Sequence, residues 1–321
     1  MLRLFALVFA TASFGPAAST DGPNIGSEIA QVRHFASSAG EKLWHGYETA
    51  PFGLLLVAGD KEQLLCQSPA PDDFTADGKD EASGCTRYVR PRSSLPDALL
   101  AAMPVFGPPS TIVMGTPKTT GRSDADWTRT ILHEHFHQWQ DSLPGFYDRA
   151  AALGLSGDDH SGMWMLNYPF PYSDPKVAAA FGEASRALGL AVDARGKPGF
   201  RKAFSNYVTA RSRFAAAAGD RNWRYAEFEL WKEGVARWTE VQLGKRYPDP
   251  AVSKSAVELE QKGRSWLDKP NLVAAGREFV YPYGAAEASL LEACWPAWRR
   301  EYPKMLALGP LLEKAQSHCR A

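Results

Sequence analysis

The stretch TRTILHEHFHQWQ, residues 128–140, constrains this chain more than any other, because it sets three histidines and a glutamate inside a helical apolar pattern. On an α-helix, positions four apart lie about 40° apart and one turn above each other, so His133 and His137 can present two imidazoles to one ion. Glu134 lies about 100° round from His133, near enough to take a proton from water held there. The three together match HExxH. His135 points about 200° away and cannot join the same ion, so it is read as packing or as support for the site. The competing reading is a His-rich helical surface, which the surrounding apolar pattern disfavours.

Two imidazoles need a third protein ligand, with the fourth position left open for water. The continuation HExxHxxGxxH is absent, since Gln140 stands where that pattern has Gly. A ligand from a later helix is expected instead, and WKEGVARWTE, residues 231–240, is the leading segment. Phe228, Trp231, Val235 and Trp238 form its apolar stripe, while Glu229, Glu233 and Glu240 share the opposite face. By periodicity alone a carboxylate face is solvated, and periodicity does not choose among the three.

HEHFHQW resembles the HExxHxW of the gluzincin metallopeptidases, above all the aminopeptidase-N-like group, and WKEGVARW is similar to the later NEGFA-type helix of that family. A third segment, VYPYGAAEASLLE from Val280, resembles its YxxG followed by an apolar helix, with Tyr281 and Gly284 at the matching positions. The resemblance implies a zinc peptidase with one zinc per chain held by His133, His137 and Glu233. It implies Glu134 as general base and Tyr281 as the oxyanion donor; Tyr283, two residues on, is the alternate tyrosine by position alone. His160, in GDDHSGMW, is weighed as another donor. Two departures stand out: about 95 residues separate His137 from Glu233, and the GxMEN segment of the aminopeptidases has no counterpart near STIVMGT. The compact minigluzincins are nearer in size. Gly234 is expected to let the Glu233 helix approach the HExxH helix closely. A zinc hydrolase of non-peptide amides or esters, and an inactive peptidase-like binding protein, are the alternative functions.

The resemblance also implies an α+β, gluzincin-like fold: a small mixed α/β part with an edge strand, packed on a mainly helical part, with the zinc site in the cleft between. The residues agree. An apolar hairpin is expected in PFGLLLVAGDKEQLLC, turning at Gly59 and Asp60, and a short strand in CTRYVR. STIVMGT, residues 110–116, is a β-branched run expected as the edge strand. Beyond residue 126 the chain reads as helices near 176–190, 202–218, 225–243, 254–266, 285–300 and 304–317, with an aromatic, Pro-rich loop over 144–175. The expected divisions are 1–19, 20–125 and 126–321.

Residues 1–19 have the layout of a secretory signal peptide, one Arg, a short apolar run, then small residues, so the protein is expected to be secreted or periplasmic. The run is too short to span a bilayer, and no later stretch is long and apolar enough, so stable membrane insertion is not expected. Four cysteines in an exported chain imply disulfides, and sequence proximity favours Cys66 with Cys85 and Cys294 with Cys319. Lys plus Arg and Asp plus Glu balance at 36 each, which gives no footprint for nucleic acid. The expected partner is a peptide or protein substrate.

Overall fold

The computed structural model describes residues 25–159 and 162–319. The signal segment and His160 lie outside the described residues.

The fold is α+β: a six-stranded mixed sheet in the N-terminal part, followed by a mainly helical C-terminal part. Strands β1 (Leu54–Ala58) and β2 (Lys61–Leu65) form the expected hairpin. Gly59 turns it with φ of 61°, a left-handed conformation that favours glycine. The remaining strands are β3 (Thr75–Lys79), β4 (Thr86–Pro91), β5 (Leu100–Met103) and β6 (Thr111–Gly115), in the order β3-β4-β2-β1-β6-β5. Strands β1 and β6 run parallel inside the sheet, flanked by β2 and β5, and successive side chains point to opposite faces. Leu54, Leu56, Ile112 and Met114 therefore join the main core, while Leu55, Val57 and Val113 pack with Leu64 and Phe74 in a second cluster. Burial on both faces explains why β1 and β6 read as unbroken apolar runs.

The edge position is corrected. STIVMGT forms β6, but β6 lies between β1 and β5, and β5 is the strand at that edge of the sheet. Strand β5 goes unmarked in the sequence because Leu100–Met103 is a four-residue, Ala-rich stretch between prolines. It is held by pairing with β6 rather than by its own pattern.

The HExxH helix, Asp124–Asp141, starts at Ser123, whose hydroxyl accepts from the Asp126 amide. Every residue from Ile131 to Asp141 is buried. Trp44, fully buried, packs against Phe136, Trp139, Trp238, Trp298 and Tyr302, and its indole donates to Thr239 Oγ1 at 3.0 Å. This aromatic cluster joins the N-terminal helix (Ile25–Glu41) and its following turn to both helices that carry the site. The expected aromatic loop is mostly packing: Tyr168 stacks on Tyr225 at 4.1 Å, and Phe170 lies against Phe279 at 5.9 Å.

Cys66–Cys85 links the end of β2 to the approach to β4, and Cys294–Cys319 ties the last two long helical segments together, as sequence proximity favoured. Among the described residues no helix is long and apolar enough to cross a membrane.

Candidate metal centre

The helix expected over 225–243 contains an irregularity at its centre. Residues Asp220–Glu229 are α-helical, Leu230–Gly234 form a π turn, and Val235–Gly244 continue as α-helix. A π turn inserts one residue into the ladder and re-aims its side chains, and such turns concentrate at functional sites. Glu233 sits in this turn. Gln140, on the HExxH helix, pins it by donating to the Lys232 carbonyl at 3.0 Å, and Lys232 pairs with Asp141 at 2.7 Å.

Three side chains converge as a result. His137 Nε2 lies 3.1 Å from His133 Nε2 and 3.1 Å from Glu233 Oε2, and His133 Nε2 lies 3.4 Å from the same oxygen. All three residues are buried and form a group that could hold a metal ion. The separations themselves test the fit. In a tetrahedral shell with N and O ligands at about 2.0–2.1 Å, neighbouring donors stand about 3.3 Å apart.

Both imidazoles are oriented from behind. His133 Nδ1 meets Glu240 Oε2 at 3.0 Å, and a carboxylate that is itself bound to Arg129 and Arg237 is an acceptor. His137 Nδ1 meets Gln140 Oε1 at 2.6 Å. Because the Gln140 amide nitrogen faces two carbonyls and the Tyr302 hydroxyl, its oxygen too is the acceptor. Each Nδ1 therefore carries a proton, which leaves Nε2 as the nitrogen whose lone pair an ion at the centre would take. Gln140, noted in the sequence only as a departure from another motif, has this orienting role.

The electrostatics suit a cation. Burial alone would raise Glu233, but His137 and Arg277 hold it well below the usual carboxylate range. Burial would likewise raise Glu240, and Arg129 and Arg237 bring it down to about 2. Burial would lower His133, yet its hydrogen bonds to Glu233 and Glu240 raise it to about 9. An entering ion would displace that proton. His135 points the other way, to Tyr47 Oη at 2.9 Å and the ring of Phe52, and burial lowers its pKa to about 3. That is the packing role expected of it.

Glu134 is buried beside the pair, and its Oε2 accepts from the Ala102 amide of β5 at 2.7 Å. Tyr281 lies in the first turn of the helix Val280–Cys294, its ring centroid 5.9 Å from that of His133. Tyr283 is fully buried among Phe181, Tyr207 and Phe214, so the alternate tyrosine belongs to the core. Glu229 and Glu240 are buried rather than solvated, which corrects the reading from periodicity alone. Burial pushes Glu229 up to about 7 against the pull of Arg277.

Gly234 also requires a correction. A Cβ there would meet Gly284 Cα at 2.5 Å and the Val280 carbonyl oxygen at 3.0 Å, so the close approach is to the helix of Tyr281, not to the HExxH helix. The contact is backbone on backbone, and neither side can yield by rotating a side chain. Gly234→Ala should therefore cost about 1–3 kcal/mol of stability, read as a lower midpoint in equilibrium denaturation. An unchanged midpoint would mean that these helices separate freely.

Arg277 was not anticipated, and nothing in GREF marks it. Its guanidinium reaches Glu233 Oε1 at 2.9 Å, Glu229 Oε2 at 2.5 Å and Tyr281 Oη at 3.2 Å.

Compared with protein-family models, curated proteins and solved structures, the chain has no match.

Proposed function

We propose that the protein is a zinc-dependent metallopeptidase of the gluzincin kind, with His133, His137 and Glu233 as ligands, Glu134 as general base and Tyr281 as oxyanion donor. The observation that carries this reading is the buried convergence of the two Nε2 atoms and Glu233 Oε2 at the spacing of a tetrahedral shell. The group supports a metal site; zinc in particular is favoured by the mixed nitrogen and oxygen donors and by the resemblance in sequence.

When bound, zinc lowers the pKa of water and polarises a carbonyl. Glu134 takes the proton of the attacking water and delivers it to the departing amine. The Ala102 amide steadies one oxygen of Glu134 and leaves the other for this transfer. The hydroxyl of Tyr281 donates to the carbonyl oxygen as that oxygen gains charge. Peptide substrates are favoured over other amides and esters because β5, whose backbone touches the base, is the edge of the sheet, where an extended chain can add as a further strand.

Export fits the two disulfides, and we keep residues 20–125 and 126–321 as the two subdomains of one catalytic unit. The test is activity profiling. Unstructured protein and peptides should be cleaved, cleavage should stop with a chelator, and zinc should restore it. Turnover of small esters and amides with no peptide cleavage would favour the non-peptidase alternative, and no turnover of any of them would favour a binding protein.

A further inference from the structure

We propose that Arg277 is a positioning residue that sets both the third ligand and the oxyanion donor of this centre; the inference rests on the metallopeptidase reading above. Arg277 lies in the 3₁₀ turn Gly276–Phe279 that leads directly into the Tyr281 helix, and its side chain is largely buried. Its Nε donates to the Met165 carbonyl at 3.2 Å, which leaves the two terminal nitrogens to act separately.

Nη2 holds Glu233 Oε1 at 2.9 Å. That contact occupies one carboxylate oxygen and turns the other, Oε2, toward both imidazoles, so Glu233 offers the centre a single donor atom. An open position is thereby kept for water, as a catalytic site requires and a closed structural site does not. The same nitrogen pairs with Glu229 Oε2, so one cation offsets two buried carboxylates that stand a turn apart on one helix.

Nη1 lies 3.2 Å from Tyr281 Oη. A guanidinium has only donors, so the phenol oxygen must accept. The phenol's own hydrogen is then directed elsewhere and is available to a substrate oxygen. A neighbour able to accept would have captured that hydrogen instead. Arg277 thus fixes the direction of the Tyr281 hydroxyl as well as its place. It acts through Glu233 and Tyr281 and need touch no substrate itself.

The experiment compares wild type, Arg277→Met, Tyr281→Phe and the Arg277→Met/Tyr281→Phe double variant. It reads zinc affinity by competition with a chromophoric chelator, and kcat and KM on a peptide at saturating zinc. Should Arg277→Met fail to fold, Arg277→Met/Glu229→Gln replaces it, since that pair removes the buried charge along with its partner. Its own Tyr281→Phe derivative then closes the cycle. Loss of the arginine is expected to weaken zinc binding about 10–100-fold. It should also lower kcat with KM within a few-fold, and Tyr281→Phe should add little further loss on that background because both act on one hydroxyl. Zinc affinity within threefold of wild type, or an equal kcat penalty from Tyr281→Phe in both backgrounds, overturns the proposal and leaves the metal site standing. A wild-type protein that binds no zinc overturns both.

Discussion

Glu134→Gln should keep its metal and lose most of its activity. The amide has nearly the shape of the carboxylate, and its oxygen can still accept from the Ala102 amide, so β5 and the HExxH helix stay in register. What it loses is the capacity to take a proton. General-base contributions run at about 10²–10⁴-fold, so kcat should fall by that much while metal content stays at the wild-type level. A rate within a few-fold of wild type at full metal occupancy would remove Glu134 from the mechanism, and with it the reason to read this centre as a peptidase.

A larger effect is expected from His133→Ala and from His137→Ala. Each removes one of three donors from a group whose atoms lie only 3.1–3.4 Å apart, and neither replacement side chain can bind an ion. Removing an outer partner of a metal ligand costs about 10–100-fold in affinity, so removal of a ligand should exceed about 100-fold and abolish activity with it. His135→Ala is the internal comparison. It sits between the two in sequence, yet it faces Tyr47 and Phe52, so it should lower stability and leave metal stoichiometry unchanged. Metal content measured after dialysis, for all three variants side by side, decides the matter.

The contrast among these histidines shows what could be read from the sequence. Helical geometry alone separated His133 and His137 from His135, because direction around a helix follows from spacing. The hairpin was legible from its two apolar runs around Gly59 and Asp60, but the split of Leu54 to Val57 between two cores was not, since an unbroken apolar run carries no alternation. Glu233 was not legible either. Three carboxylates on one face look alike to periodicity, and the π turn that aims Glu233 at the imidazoles depends on tertiary contacts from Gln140 and Lys232 rather than on local propensity.

Strand β5 was hidden because its residues carry no strand signal, and its partner β6 was then misplaced at the edge. Strand β3 was missed too, since all five of its residues are exposed and none is a large apolar one. Arg277 and Arg129 were illegible for a different reason. A buried cation looks like any surface cation in a sequence until the fold sets carboxylates around it. Gly234 was rightly suspected of a close approach, but the sequence could not say which helix lay opposite.

The central claim is that Glu233 completes a metal centre with the HExxH histidines. Anomalous diffraction at the zinc edge, from crystals of the zinc-loaded protein, tests it most directly. One peak per chain is expected, about 2.0–2.2 Å from His133 Nε2, His137 Nε2 and Glu233 Oε2, with Glu233 Oε1 still held by Arg277. A peak bound by the two histidines with Glu233 turned away would leave an HExxH metal site and contradict the gluzincin reading. No peak among these residues would contradict the account as a whole.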